Sequence, residues 1–317
     1  MRYIEDLKED DKIMEHYLCK EKKKMQSKAG KNYLNLTLMD KTGTINGKIW
    51  ELNNDIGNFE EGDYIKIDGT VILFNNDRQM KITRVRKSRE DEYQKSDYIP
   101  TTEKDVEVLF MQILTFIEET KNPYIKKLLE NIFVHNKVVN SKIKTHSAAK
   151  KVHHAYLGGL IEHIVSVTEI CLFFLPRYKF INRDLLVAGA LLHDIGKIIE
   201  LSPMPESLYT DEGQLLGHIL IGIDLVSEEA SRIENFPHDT LVLLKHLIAS
   251  HHGELEYGSP QTPRTIEAIV LHLADNTDSR IKIFEEALQK SNEADLWIGF
   301  NVALGRDLRK TWLSEYE

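Results

Sequence analysis

Two cysteines in 317 residues, Cys19 and Cys171, are too few and too far apart for a disulfide framework or a thiolate zinc site. Any metal chemistry therefore falls to histidine and carboxylate. No apolar run approaches the ~20 residues of a membrane helix, with 185–192 among the longest. The opening Met1-Arg2-Tyr3-Ile4-Glu5-Asp6 is too charged for a signal peptide. A soluble, cytoplasmic protein with no membrane partner is expected. Internal repeats and low-complexity segments are missing too, and 42% hydrophobic with 29% charged residues is not the composition of a disordered chain. The length suffices for two domains, each with its own core.

Charge is unevenly spread. Residues 1–151 hold 28 Lys+Arg against 25 Asp+Glu, whereas 152–317 hold 13 against 25, so balances of +3 and −12 make up the net −9. Eight lysines fall between 121 and 151, including Lys142, Lys144, Lys150 and Lys151, against the single acid Glu130. A polyanion could follow that stretch; a solvated helix face is the alternative.

Residues 12–20, 33–39, 44–50, 64–74 and 80–86 are short runs rich in Ile, Val, Thr and Tyr, with partial alternation. Asp40-Lys41-Thr42-Gly43 and Asn75-Asn76-Asp77 separate them as hairpin turns should, with a short helix-like break at 52–59. Five such strands fit an OB-fold barrel. A polar stretch from Ser88 ends in Pro100, and beyond it the period becomes helical: 103–120, 123–134, 158–175, 183–194, 215–234, 239–250 and 264–289. The fold expected is multi-domain: a five-stranded OB-fold barrel over 1–90, a linker and basic helical segment over 91–151, and an all-α domain over 152–317.

Ten of the 13 histidines lie between His153 and His272, interleaved with carboxylates. His193-Asp194 ends a strongly apolar helix just before Gly196, placing two metal-competent side chains at the edge of a core. A second pair, His238-Asp239, follows Pro237 and precedes an apolar run, so Asp239 reads as a helix-start residue complementing the dipole. With His163 and Asp275, His193 and Asp194 can close one imidazole and carboxylate site. His218 and the pair His251-His252 could hold a second ion, with Asp194 bridging. Such ligands suit Mn²⁺, Fe²⁺, Zn²⁺, Co²⁺ or Mg²⁺, and the imidazole content favours Mn²⁺.

His163, His193-Asp194 and Asp275 resemble the HD-domain superfamily of metal-dependent phosphohydrolases, and His218 with His251-His252 looks like its dinuclear branch. The segment from His153 through Gly158-Gly159-Leu160-Ile161-Glu162-His163, together with an amino-terminal OB-fold, is similar to the YhaM-type 3′-to-5′ exoribonucleases along essentially the whole chain. That resemblance implies two divalent metals, Asp194 as the shared catalytic carboxylate, and phosphodiester hydrolysis on a single strand of RNA or DNA. Lys197, four positions after His193, is a candidate for the scissile phosphate or for a helix-end charge. His153, His154 and Arg264 are candidate substrate contacts. Asp278 and Arg280, just past Asp275, are read as cleft residues or a structural salt bridge.

Among the barrel aromatics Tyr33, Trp50, Tyr64 and Phe74, one or two should be exposed to stack bases, with Tyr33 and Phe74 favoured. Arg78 should hold phosphates, and Lys22-Lys23-Lys24 should form a basic approach loop. The leading expectation is a metal-dependent 3′-to-5′ exoribonuclease releasing nucleoside 5′-monophosphates, with homo-oligomerisation left open. A nucleotide or cyclic-dinucleotide phosphohydrolase would leave the barrel without purpose. A non-catalytic nucleic-acid-binding protein would leave the ligand set without purpose.

Overall fold

Alternation of apolar and polar residues curls the amino-terminal strands around one small core. In the computed structural model, which describes residues 2–27, 30–53, 55–74, 77–94, 97–150, 154–289, 291 and 295–311, strands β1 (Lys12–Gln26), β2 (Asn32–Asp40), β3 (Gly43–Ile49), β4 (Tyr64–Phe74) and β5 (Asp77–Lys87) close a barrel in the order β1-β2-β3-β5-β4. Pairing is antiparallel except between β3 and β5, which run parallel. Inward-facing Tyr17, Leu36, Leu38, Ile45, Ile49, Ile65, Ile67, Met80 and Val85 fill the interior. This is the expected five-stranded OB-fold.

The buried Asp40 turns β2 into β3. One carboxylate oxygen accepts from the Thr42 and Gly43 amides at 2.8 and 3.2 Å, and the other from the Ile4 amide at 2.6 Å. Strand β1 runs six residues past the expected end because Lys22–Gln26 pair with Asn32–Leu36 of β2. Lys22, Lys23 and Lys24 therefore lie on a strand, not in a loop. No described residue of 51–60 is helical; Phe59 plugs the barrel there instead. Asn75 and Asn76 of the expected turn lie outside the described residues.

The chain divides into two compact units, Met1–Thr101 with Met204–Glu206, and Thr102–Pro203 with Ser207–Glu317. The second is built on helices α1 (Val106–Glu118), α2 (Pro123–Leu129), α3 (Lys137–Thr145), α4 (Gly159–Phe174), α5 (Arg183–Leu192), α6 (Lys197–Glu200), α7 (Asp211–Ser231), α8 (His238–Ser250) and α9 (Ile266–Gln289), followed by a hairpin of β6 (Trp297–Asn301) and β7 (Arg306–Arg309). Asp105, Asn122, Asn136 and Asn182 cap α1, α2, α3 and α5 by accepting from backbone amides. Helix α1 thus begins three residues later than expected. Leu109, Ile113, Leu129 and Ile143 from α1–α3 join the same core as Leu160, Leu186 and Leu247. The basic segment is integral to the helical unit, since its apolar face requires a core as much as its lysines require solvent.

Helix α5 is buried along its length from Leu185 to Leu192. It packs against α4, α8 and α9, so the residues at its carboxyl end emerge among three other helices. No described helix is long and apolar enough to cross a membrane.

Candidate metal centre

The imidazoles that converge at the end of α5 are each held by Nδ1. His163 on α4 bonds the Asp278 carboxylate at 2.7 Å, and His193 donates to the Ala190 carbonyl at 2.8 Å. His251 donates to the Ile248 carbonyl at 2.7 Å, His252 to the Tyr257 carbonyl at 3.0 Å, and His218 to Glu200 Oε1 at 3.0 Å. Carbonyls and carboxylates only accept, so each Nδ1 carries a proton and the neutral ring keeps its lone pair on Nε2. These anchors aim the lone pairs rather than leaving them to rotate.

Asp194 sits among them, buried. Its Oδ2 lies 3.3 Å from His163 Nε2, 3.5 Å from His193 Nε2 and 2.6 Å from Lys197 Nζ. Its Oδ1 lies 3.5 Å from His218 Nε2 and 3.7 Å from His251 Nε2. Asp275, on α9, reaches His163 Nε2 at 3.3 Å. The ligand atoms of His163, His193 and Asp275 fall within 4.8 Å of one another, as do those of His218, His251 and His252. One carboxylate thus faces two ligand sets, one oxygen to each.

Local backbone explains how His218 gets there. Helix α7 breaks at Gly217, whose φ of 70° and ψ of 160° no side-chain-bearing residue adopts readily. The break frees the His218 amide, which donates to the same Glu200 oxygen at 3.0 Å. Gly196 completes the approach: a methyl there would stand 2.0 Å from the His218 carbonyl oxygen.

Electrostatics divide the two sets. Burial pushes the His163 imidazole down, but Asp194, Asp275 and Asp278 outweigh it and hold its pKa well above the usual value, so its Nε2 proton has to leave before that nitrogen can bind a metal. Burial opposes ionisation of Asp194, yet Lys197 and the surrounding imidazoles keep its carboxyl well below the carboxylate range. His251 goes the other way: burial first, then the neighbouring imidazoles, hold it well below normal, so it stays neutral. Asp194 Oδ1, His218 Nε2 and His251 Nε2 are buried and make no hydrogen bond to any described residue, an arrangement that costs about 1–3 kcal/mol per atom when nothing answers it. Inward lone pairs of imidazole and carboxylate, fixed from behind and otherwise unanswered, fit divalent cations.

All seven candidate ligands thus come together, with Lys197 beside them. A cavity of about 570 Å³, bordered by Asp194, Lys197, His218, His252 and Asp275, opens over them. His238 begins α8, at the opposite end of that helix from His251, and Asp239 stands in its first turn. Asp278 has a larger part than a cleft lining: it also accepts from the Ser166 hydroxyl and bonds His154 Nε2 at 3.1 Å. Its spacing three residues after Asp275, one helical turn on, is the signal that places both beneath His163. Glu200 carries no such signal, because only the Gly217 break brings it to His218. Arg280 bonds Asn276 on its own helix.

The expected nucleic-acid contacts fare differently. His154 is buried against Asp278 and Tyr156, so it supports His163 instead of meeting a strand. Lys142 donates to the Ile198 carbonyl at 3.0 Å, and Lys144 pairs with Glu107 at 2.8 Å over the Phe110 ring. Both are engaged in holding the helical unit together. Lys150 borders the cavity, Arg264 is exposed, and Lys151 and His153 lie outside the described residues. In the barrel, Arg78 donates to the carbonyls of Ile4, Glu5 and Leu7 and ties down the first turn of the chain. Lys22 bonds the Phe59 carbonyl and Glu60, Lys23 pairs with Glu21 at 2.8 Å, and Lys24 is exposed. Tyr33, expected to be exposed, is buried beneath Trp50 with ring centroids 4.5 Å apart, because it is the inner member of a stacked pair. Trp50 and Phe74 are exposed, and Lys48 Nζ stands 5.8, 5.5 and 5.3 Å from the Tyr33, Trp50 and Phe74 rings.

Comparison with known proteins agrees with both units. The model of the HD domain matches residues 160–280, which contain every candidate ligand, and that of an OB-fold nucleic acid binding domain matches 20–87. A 3′-5′ exoribonuclease YhaM from Geobacillus sp. (strain WCH70) is 36% identical over 263 residues, covering 82% of this chain and 80% of its own. The chain belongs to the YhaM exoribonuclease family. A second member, the 3′-5′ exoribonuclease YhaM of Bacillus velezensis, is 33% identical over 282 residues and 88% of each chain. The two matches follow one another in the order of the two units, OB-fold and then HD domain, and the metal dependence of HD domains fits the His and Asp clusters at the end of α5.

Proposed function

We propose that the protein hydrolyses single-stranded RNA from its 3′ end, releasing nucleoside 5′-monophosphates, with single-stranded DNA as a second substrate of the same chemistry. Asp194 carries the reading, since each of its oxygens faces a separate set of inward Nε2 atoms. His163, His193 and Asp275 with Oδ2 would hold one divalent cation, and His218, His251 and His252 with Oδ1 the other. Such cations supply Lewis acidity toward a phosphoryl oxygen and positive charge against the transition state. The imidazole-rich ligands favour Mn²⁺ over Mg²⁺.

The chain's own groups do the rest. Asp278 and Glu200 keep His163 and His218 in one tautomer and one orientation. Lys197 is buried, yet Asp194 holds its ammonium protonated, so it brings a fixed positive charge to the cavity where the scissile phosphate would lie. The cavity is of a size that accepts one small ligand, as a strand terminus would present. In the barrel, Trp50, Phe74 and Lys48 form an aromatic and cationic face suited to unpaired bases and their phosphates. The YhaM relatives support the polarity and the RNA substrate, and such a substrate implies work in the cytoplasm.

Mn²⁺-loaded protein and single-stranded RNA labelled at either end test the proposal. A ladder shortening from the 3′ end, with 5′-monophosphates identified by mass spectrometry, is expected. Folded Asp194→Asn protein should lose about 10³-fold or more in turnover, as befits a group serving both ligand sets. First products that are 3′-phosphates, cyclic phosphates or internal fragments would overturn it.

A further inference from the structure

Two exposed tyrosines border the cavity over the metal centre. Tyr209 is 44% exposed and Tyr257 60% exposed. Their backbones, by contrast, are fixed. The Tyr257 carbonyl accepts from His252 Nδ1, which ties its backbone to a candidate ligand. Tyr209 is pinned by a β-bridge to Leu201, and the next residue, Thr210, caps α7 by accepting from the Gly213 amide at 2.9 Å. Lys150 Nζ lies 5.4 Å from the Tyr209 ring centroid, which places a cation beside an exposed aromatic face at the same opening.

Exposed rings on rigid backbone, beside a cation and next to a phosphate-type site, are the ingredients of single-strand binding: π faces for bases and positive charge for the backbone. We propose that Tyr257 and Tyr209 stack on the last bases of the RNA strand and that Lys150 meets a phosphate between them, so that the terminal phosphodiester is presented to the metal centre. The proposal rests on the exoribonuclease reading and deepens it. Stacking reads no hydrogen-bonding edge, so the grip should be indifferent to base identity.

The full-length protein tests it in two ways. Chelator-treated protein is mixed with RNA carrying 2-aminopurine at its 3′ end, whose fluorescence is quenched by stacking. Wild type, Tyr257→Phe and Tyr209→Phe should quench it, and Tyr257→Ala and Tyr209→Ala should not. With Mn²⁺ present, each alanine variant should raise KM for RNA by roughly 5- to 150-fold. Its kcat and metal content should be unchanged, and the effect should be equal on all four homopolymers. Lys150→Gln should flatten the salt dependence of binding by about 0.7 in log–log slope. Alanine variants within twofold of wild type in both quenching and KM would overturn the assignment while leaving the exoribonuclease reading intact. So would phenylalanine variants as impaired as alanine, since the hydroxyl and not the ring would then be at work. Wild-type protein that removes nothing from a 3′ end would overturn both.

Discussion

At the scale of single residues the centre depends on groups that touch no metal. Asp278 and Glu200 each spend a carboxylate on an Nδ1 atom, which decides where the opposite Nε2 lone pair points. Removing such an anchor typically costs 10- to 100-fold in metal affinity or activity. Asp278→Asn and Glu200→Ala are each expected to weaken Mn²⁺ binding by about that factor in a metal titration, with an unchanged far-UV spectrum. His238→Ala, at the far end of α8, should bind metal and turn over like wild type. Equal affinity in Glu200→Ala would mean that Gly217 alone positions His218. The two cysteines offer a separate check. Burial pushes the Cys19 thiol up to about 12, and Cys171, buried in the helical core, is raised as well. Both thiols therefore stay protonated at pH 8, far below the point at which thiolate forms. Iodoacetamide should label neither cysteine in the native protein and both in denaturant; labelling of the folded chain would show that these cores open readily.

Among the elements, the junction of α6 and α7 carries the most consequence for the least sequence. Helix α6 spans four residues, yet its Glu200 holds His218, and Gly196 before it lets the α7 backbone approach to within contact of its own. A side chain at 196 would have to push the His218 carbonyl away, and a backbone atom yields less readily than a side chain. Gly196→Ala is expected to cost about 1–3 kcal/mol, as overpacking does, and so to lower Tm by roughly 2–12 °C for a domain of this size. The same displacement should remove one of the two Mn²⁺ equivalents. Calorimetry and metal stoichiometry on the same sample decide it: an unchanged Tm with two equivalents bound would show that the two segments can part without disturbing the site.

For the whole molecule the division of labour follows charge and chemistry. The described barrel contains none of the candidate ligand clusters, whereas the helical unit contains all of them and the excess of acid. Trp50, Phe74 and Lys48 make the barrel's contribution one of holding a strand. Trp50→Ala with Lys48→Ala should raise KM for long RNA by about 10-fold or more, given roughly 1–3 kcal/mol per stacked base, and should leave hydrolysis of a dinucleotide unchanged. Equal losses on long and short substrates would assign these residues to barrel stability instead.

Much of this protein is local enough to be read from its residues alone. Strand alternation and turn chemistry around Asp40 determined the barrel, helical spacing determined most of the second unit, and the order of His163, His193-Asp194, His218, His251-His252 and Asp275 determined which side chains could share metals. Those signals survive because each depends on neighbours a few positions away or on residue chemistry itself. Only the tertiary structure decided which Asp194 oxygen faces which ligand set, that Glu200 holds His218, that Tyr33 lies under Trp50, and that Lys142, Lys144 and Arg78 are engaged with carbonyls and carboxylates of the chain. A lysine reads the same in sequence whether its charge meets a phosphate or Glu107. The choice belongs to whatever distant segment packs beside it, through contacts that no local pattern encodes.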